Sequence, residues 1–212
     1  AKLFIFFGIV SLAVAGSFIL VQKDLKRLLA YSSVENMGLI SLGLGFGPFG
    51  GIVAGLLQVF NHAVTKALMF FSAGNAVQAY RSNNMNTMHG LIKAMPFTGA
   101  SMFLGLFALV GIPPFSIFIS KLWILVSAFQ GRYYIIAALM LMFIALAFAG
   151  LLFHISKVVL GNTPAGMARQ KERLSSKIAF VFLGFFIVGF GLKIPQGFME
   201  LLLNCQRLIL GQ

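Results

Sequence analysis

The sequence predicts an all-α, polytopic membrane protein: a bundle of about six transmembrane helices, one of them broken. Three observations predict it. The 212 residues are 59% hydrophobic and only 9% charged, against roughly 25% charged in a soluble domain. The mean hydropathy is +0.97, and a soluble fold of this composition would leave more apolar surface in water than folded monomers carry. The apolar runs continue unbroken for about 20 residues, the length of helix that crosses a ~30 Å hydrocarbon core. Barrel strands would alternate apolar and polar residues with period two. Only helices and closed barrels satisfy their backbone groups in lipid, so helices remain.

Six apolar segments follow in order. Segment A covers residues 3–21, B 28–46, C 51–76, D 97–129, E 133–156 and F 178–193, and the tail from Gln196 to Gln212 reads as a further, interfacial helix. Asp24, ahead of Leu25-Lys26-Arg27-Leu28, reads as the N-cap of segment B. The loops carry the charge. The A–B loop holds Lys23, Lys26 and Arg27, the C–D loop Arg81 and Lys93, and the E–F loop Lys157, Arg169, Lys171, Arg173 and Lys177 beside Glu172. The B–C loop (Gly47, Pro48, Phe49, Gly50) is uncharged and the D–E turn has only Arg132. This alternation places the A–B, C–D and E–F loops in the cytoplasm. It also accounts for the net charge of +12 without a nucleic-acid partner, since no basic stripe with interleaved aromatics is present.

Segment D is too long for one crossing. Its residues would make a helix of about 50 Å, and midway stands Gly111-Ile112-Pro113-Pro114. Proline lacks an N–H and clashes with the preceding turn, and Pro114 excludes Pro113 from the α region. Two half-helices joined by an unwound stretch are expected, an arrangement that transporters use for ion sites. A simple proline kink is the other reading.

A charge at the bilayer centre costs at least ~2.5–3.5 kcal/mol on insertion scales, so buried charges need a reason. Lys121 lies seven residues beyond Pro114, too far inside segment D to snorkel. It reads as a proton-exchanging group, or as a structural lysine paired with a carboxylate of another subunit. Gln58, His62 and Lys66 recur at i, i+4 and i+8 on segment C, one polar stripe on an apolar helix, with Asn61 and Thr65 beside it. Such a stripe can order water and relay protons. Glu35, one of four acids in the chain, is expected within two turns of the cytoplasmic end of segment B. There it is a counter-charge for Lys66, a proton uptake group, or an interfacial glutamate contacting a loop base. His154 reads as structural, Lys157 as snorkelling, and Lys193 and Glu200 as boundary residues.

Soluble catalytic patterns are lacking: no phosphate-binding glycine loop, no metal-ligand spacing, no nucleophile elbow. A single cysteine, Cys205, excludes an intrachain disulfide and a cysteine-ligated cluster from this chain alone. The glycines of Gly38-Leu-Ile-Ser-Leu-Gly43-Leu-Gly45 read as helix-packing contacts. The start at Ala1, without Met and inside an apolar run, reads as a fragment or a processed form.

Three stretches carry a family resemblance. Asp24-Leu-Lys-Arg-Leu-Leu-Ala-Tyr-Ser-Ser33, His62-Ala-Val-Thr-Lys66-Ala-Leu-Met-Phe-Phe-Ser-Ala-Gly74 and Gly111-Ile-Pro-Pro-Phe-Ser-Ile-Phe-Ile-Ser-Lys121 resemble, in this order, motifs of the antiporter-like subunits. These occur in respiratory complex I, Mrp-type cation/proton antiporters and group 4 membrane-bound hydrogenases. Ser33-Val-Glu35-Asn36-Met-Gly38 most resembles hydrogenase-4 and formate hydrogenlyase membrane subunits. Met88-His89-Gly90-Leu91 departs from the family's usual Gly-Gly-Leu-like turn.

The resemblance implies a fold of two inverted five-helix repeats. Residues 1–160 would be the second repeat, followed over 161–212 by a cytoplasmic loop, a C-terminal transmembrane helix and a short tail; the first repeat would precede Ala1. It implies Lys121 as the terminal lysine of an outward half-channel, and His62 and Lys66 on the central hydrophilic axis. It implies no bound cofactor and no metal in this chain, with electron transfer in neighbouring soluble Fe–S or hydrogenase-type subunits. The function so implied is a non-catalytic, proton-translocating subunit of a membrane-bound hydrogenase or complex I-like oxidoreductase in a bacterial or archaeal inner membrane, beside other membrane subunits. Two alternatives stay open: an Mrp-type subunit moving H+ against Na+ without a redox partner, and a scaffold whose lysines only pair with neighbours.

Overall fold

Asp24 decides where the second helix begins. Its carboxylate accepts from the Arg27 N–H at 2.9 Å, which starts the helix at Leu25, a turn earlier than the apolar run suggested. The computed structural model describes residues 1–48, 50–164 and 169–211. Phe49 of the B–C loop and Gln212 of the tail, both named above, lie outside the described residues. Among the described residues the elements are α1 (Lys2–Val21), α2 (Leu25–Phe46), α3 (Gly51–Tyr80), α4 (Leu91–Ala94), α5 (Pro96–Val110), α6 (Ser116–Gln130), α7 (Tyr134–Leu160), α8 (Leu174–Leu192) and α9 (Gln196–Leu210).

The protein is a multi-pass integral membrane protein. α1, α3, α7 and α8 are each long and apolar enough to cross a bilayer. α2 has 22 residues, about 33 Å of helix, but carries Lys26, Arg27 and Glu35. α5 and α6 have 15 residues each, about 22 Å apiece, so neither crosses a ~30 Å core alone. Segment D is thus two half-helices, as expected. α8 begins at Leu174, which moves Lys177 from the loop into the first turn of that helix. The one-turn α4 had no signal in the apolar pattern.

The three basic loops gather on one face. The Leu25 N–H donates to the Asn83 carbonyl and the Met85 N–H to the Lys23 carbonyl, each at 2.9 Å, joining the α1–α2 and α3–α4 connections. His154 reaches the Leu20 carbonyl at 3.1 Å, and Lys93 donates to Asn162 at 2.9 Å. Glu172 of the α7–α8 loop accepts from the Phe97 and Thr98 N–H groups at the start of α5, at 3.1 and 2.7 Å. A carboxylate there meets the positive end of the helix dipole. The shared face follows from the same alternation that the basic residues show in sequence.

Close helix contacts rest on glycine. A Cβ on Gly38 would lie 2.8 Å from the Gly8 carbonyl, and one on Gly43 would lie 2.9 Å from the Gly51 carbonyl. α1 against α2, and α2 against α3, therefore pack backbone to backbone, the approach that small residues permit in lipid.

Two apolar clusters enclose a polar layer. The cluster nearer the basic loops includes Leu29, Met69, Leu106 and Ile117, and the other includes Leu39, Ala54 and Ile124. On α2, α3 and α6 alike, most of the buried residues between the two clusters are polar.

Candidate functional site

The polar layer is built from three helices. α2 supplies Ser32, Glu35 and Asn36, α3 supplies Gln58, Asn61, His62, Thr65 and Lys66, and α6 supplies Ser116, Ser120 and Lys121; all are buried. The i, i+4, i+8 stripe of α3 therefore faces inward over its whole length. The two lysines are only 6% and 7% exposed, and Glu35 only 2%, so none of these charges meets bulk water.

The helix break explains the seat of Lys121. α5 ends at Val110, and Gly111 takes the left-handed conformation with φ 85°, which costs an L side chain roughly 1–2 kcal/mol. The Gly111 N–H donates to the Phe107 and Ala108 carbonyls at 3.2 and 3.1 Å, and the Ile112 N–H to the Phe107 carbonyl at 3.1 Å. The last α5 carbonyls, of Leu109 and Val110, are left for a side chain. The Lys121 ammonium donates to them at 3.3 and 3.2 Å. A cation at the C-terminal end of a helix also meets the negative end of its dipole. Pro113-Pro114 is a cis peptide, and α6 restarts at Ser116, whose carbonyl accepts from Asn61 at 2.9 Å. Gly111, Pro113 and Pro114 thus form a capped break rather than a kink.

The third partner of Lys121 is Glu35 at 3.2 Å. This corrects two expectations. Glu35 is not near the end of its helix, since the early start of α2 puts ten residues before it, nor does it pair with Lys66. The carboxylate facing Lys121 comes from the same chain. Lys66 instead donates to the Leu29 carbonyl and the Ser32 hydroxyl, both at 2.5 Å, with the Phe70 ring 5.6 Å from its nitrogen.

Amides connect the two lysine sites. Asn36 donates to the Ser32 carbonyl at 2.8 Å, Gln58 donates to the Asn36 side chain at 2.6 Å, Ser120 donates to Gln58, and Asn61 donates to Ser120 at 3.2 Å. Gln58 was singled out from sequence; Asn36, Ser32, Ser116 and Ser120 were not. A signal existed on α2, where Ser32, Glu35 and Asn36 fall at i, i+3 and i+4 on one face. Replacing Gln58 with Leu is expected to leave the Asn36 amide oxygen without its donor, while Ser120 keeps Asn61 and the Ile117 carbonyl. The cost should be about 1–3 kcal/mol for the one unsatisfied buried group, read as a lower midpoint of thermal unfolding in detergent.

His62 touches neither lysine by hydrogen bond, yet both are within electrostatic reach of it, as Glu35 is of Lys66. Four buried polar atoms of this layer have no protein partner: Glu35 Oε2, Asn61 Oδ1, His62 Nδ1 and Thr65 Oγ1. Buried polar groups are nearly always bonded, to protein or to ordered water, so these atoms mark positions suited to internal water. Among the described residues no cluster of His, Cys, Asp and Glu could hold a metal ion.

Known proteins share this arrangement of helices. Residues 1–148 match the profile of the family described as NADH:quinone oxidoreductase/Mrp antiporter, TM. A hydrogenase-4 component F homolog of Methylacidiphilum infernorum is 32% identical over 95% of this chain and 42% of its own length. Chloroplastic NAD(P)H-quinone oxidoreductase subunit 5 of Pelargonium hortorum is 40% identical over 55% of this chain and 16% of its own. A solved archaeal membrane-bound sulfane sulfur reductase superposes with TM-score 0.86 and 29% identity, over 97% of this chain and 41% of that one. The Mrp complex of Dietzia sp. DQ12-45-1b superposes with TM-score 0.83 and 20% identity, over 96% and 47%, which speaks for the fold alone. The chain thus spans less than half the length of these relatives. A profile match across most of the sequence, on the helices that carry the buried lysines, settles the kinship: the chain belongs to the NADH:quinone oxidoreductase/Mrp antiporter transmembrane family.

Proposed function

We propose that this chain is part of a proton-translocating membrane subunit in a membrane-bound hydrogenase or complex I-like redox complex. The observation that carries the reading is the buried Glu35–Lys121 pair seated on the end of a broken helix. Charges held out of water at that depth are costly and mark ion pathways. The similarity to a hydrogenase-4 component over 95% of the chain favours a redox complex. Other membrane subunits and soluble Fe–S or hydrogenase-type subunits would be its partners, in a bacterial or archaeal inner membrane. Within the chain, residues 1–160 act as one five-helix repeat, and residues 161–212 add the loop, α8 and α9.

The geometry suggests an order. Lys66 lies nearest the basic-loop face, bound to Leu29 in the second turn of α2. A proton passes from Lys66 by way of water at Thr65, His62 and Asn61 to Glu35, whose free oxygen faces no protein donor. Protonating Glu35 breaks its ion pair, and Lys121 is then free to deliver a proton beyond the break. The amide ladder through Gln58 holds the helices in place and takes no charge itself.

Sealed membrane vesicles carrying the protein with its native neighbours test this. Addition of reductant is expected to drive proton movement, followed with a pH-sensitive dye, independently of sodium. Proton movement driven by an imposed sodium gradient without reductant would favour the Mrp-type reading. No proton movement under either condition would remove both.

A further inference from the structure

We propose that the face between α5 and α8 binds one acyl chain of an anionic phospholipid, with the headgroup held by Arg173 and Lys177. Two apolar grooves run together there. One, of about 500 Å³, is lined by Phe97, Lys177, Ile178, Val181, Phe182 and Phe185. The second, of about 350 Å³, shares Phe97, Val181 and Phe185 and continues past Leu104 and Gly184 to Val188. From Lys177 to Val188 is a rise of about 16 Å along a helix, close to the depth of one leaflet of a ~30 Å core. Nothing approaches within 4 Å of where a Gly184 Cβ would stand, so the groove is open to its floor.

Charge sets the occupant. Lys177 lines one end of the groove and lies over the Phe97 ring at 4.6 Å; Arg173 stands one helical turn before it, its carbonyl accepting from the Lys177 N–H, and lines the adjoining cavity with Lys171. Glu172, the acid among them, has both oxygens bound to the α5 N-terminus. Against the three bases Glu172 is the one acid, so this end keeps a net positive charge without a full counter-charge. A phosphate in the interfacial layer supplies one, and basic pockets between transmembrane helices are suited to anionic headgroups. A partner helix would need a seam across both leaflets; this one is charged at one end and as deep as one.

The test uses protein purified from membranes in mild detergent, exchanged into micelles doped with phosphatidylglycerol or phosphatidylcholine of equal chain length, with retained lipid counted by native mass spectrometry. Phosphatidylglycerol is expected to be retained over phosphatidylcholine, each basic residue contributing about fivefold. Arg173→Gln with Lys177→Gln should erase the preference, Gly184→Leu should lower retention of both lipids, and Lys193→Gln, outside the groove, should change nothing. Should Gly184→Leu fail to fold, the charge variants and the wild-type preference decide alone. A photoreactive group in place of Phe185 should label lipid. Equal retention of the two lipids by the wild type, or labelling of a protein instead of lipid, overturns the proposal.

Discussion

Replacing Lys121 with Met is expected to lower proton transfer at least about tenfold and to destabilise the protein. Both effects come from the same contacts. The ammonium neutralises Glu35 at 3.2 Å and satisfies two terminal α5 carbonyls. Removing one partner of a buried pair leaves an uncompensated charge and costs about 3–5 kcal/mol. The unmet carbonyls add to that cost. Glu35→Gln in the same molecule removes the stranded charge, so the double variant should regain much of the lost stability. It should not regain transport, because neither an amide nor a thioether exchanges protons. Proton transfer per reductant in sealed vesicles, set beside unfolding midpoints for the two single variants and the double, separates the effects. A double variant that translocates at the wild-type rate would show that the pair only braces the bundle.

Segment B shows what the sequence could and could not reveal about this pair. The i, i+4, i+8 spacing on α3 is a property of one helix, and it correctly turned Gln58, His62 and Lys66 inward. The break at Gly111 and Pro113-Pro114 was likewise local chemistry. Pairing is different, because it depends on how helices rotate and slide against one another. Glu35 had two candidate partners by charge, Lys66 and a loop base, and a start misplaced by three residues was enough to put it near the membrane edge instead of mid-helix. The Gly8–Gly38 and Gly43–Gly51 contacts set the depth of α2. They were visible as glycines, but not as a register. Asn36 and Ser120 were missed because an amide or a hydroxyl in an apolar run draws little notice until its partner across the interface is known. Glu172 looked like a loop charge among bases, and only the fold shows it closing the start of α5.

Gly111→Ala is expected to impair transport with both members of the ion pair intact. At φ 85° an L side chain is strained, by roughly 1–2 kcal/mol. The new methyl would also stand 3.1 Å from Lys121 Cδ and 3.5 Å from Ile117, so the lysine stem has to move aside. Its ammonium is held by contacts of 3.2–3.3 Å to Glu35, Leu109 and Val110, and a shift of a few tenths of an ångström weakens all three together. A several-fold fall in proton transfer should therefore accompany a loss of about 2 kcal/mol or more, strain and misplacement combined. Gly74→Ala is the matched control: a methyl there meets nothing within 4 Å, and alanine favours a helix interior by roughly 0.5–1 kcal/mol over glycine, so stability should hold or rise and transport should persist. The pH dependence of transport distinguishes misplacement from simple instability, since a displaced ammonium alters proton exchange in molecules that remain folded. If Gly111→Ala lowers only the unfolding midpoint, with rate and pH profile per folded molecule unchanged, the break does not position Lys121, and the lysine would have to be placed by Glu35 alone.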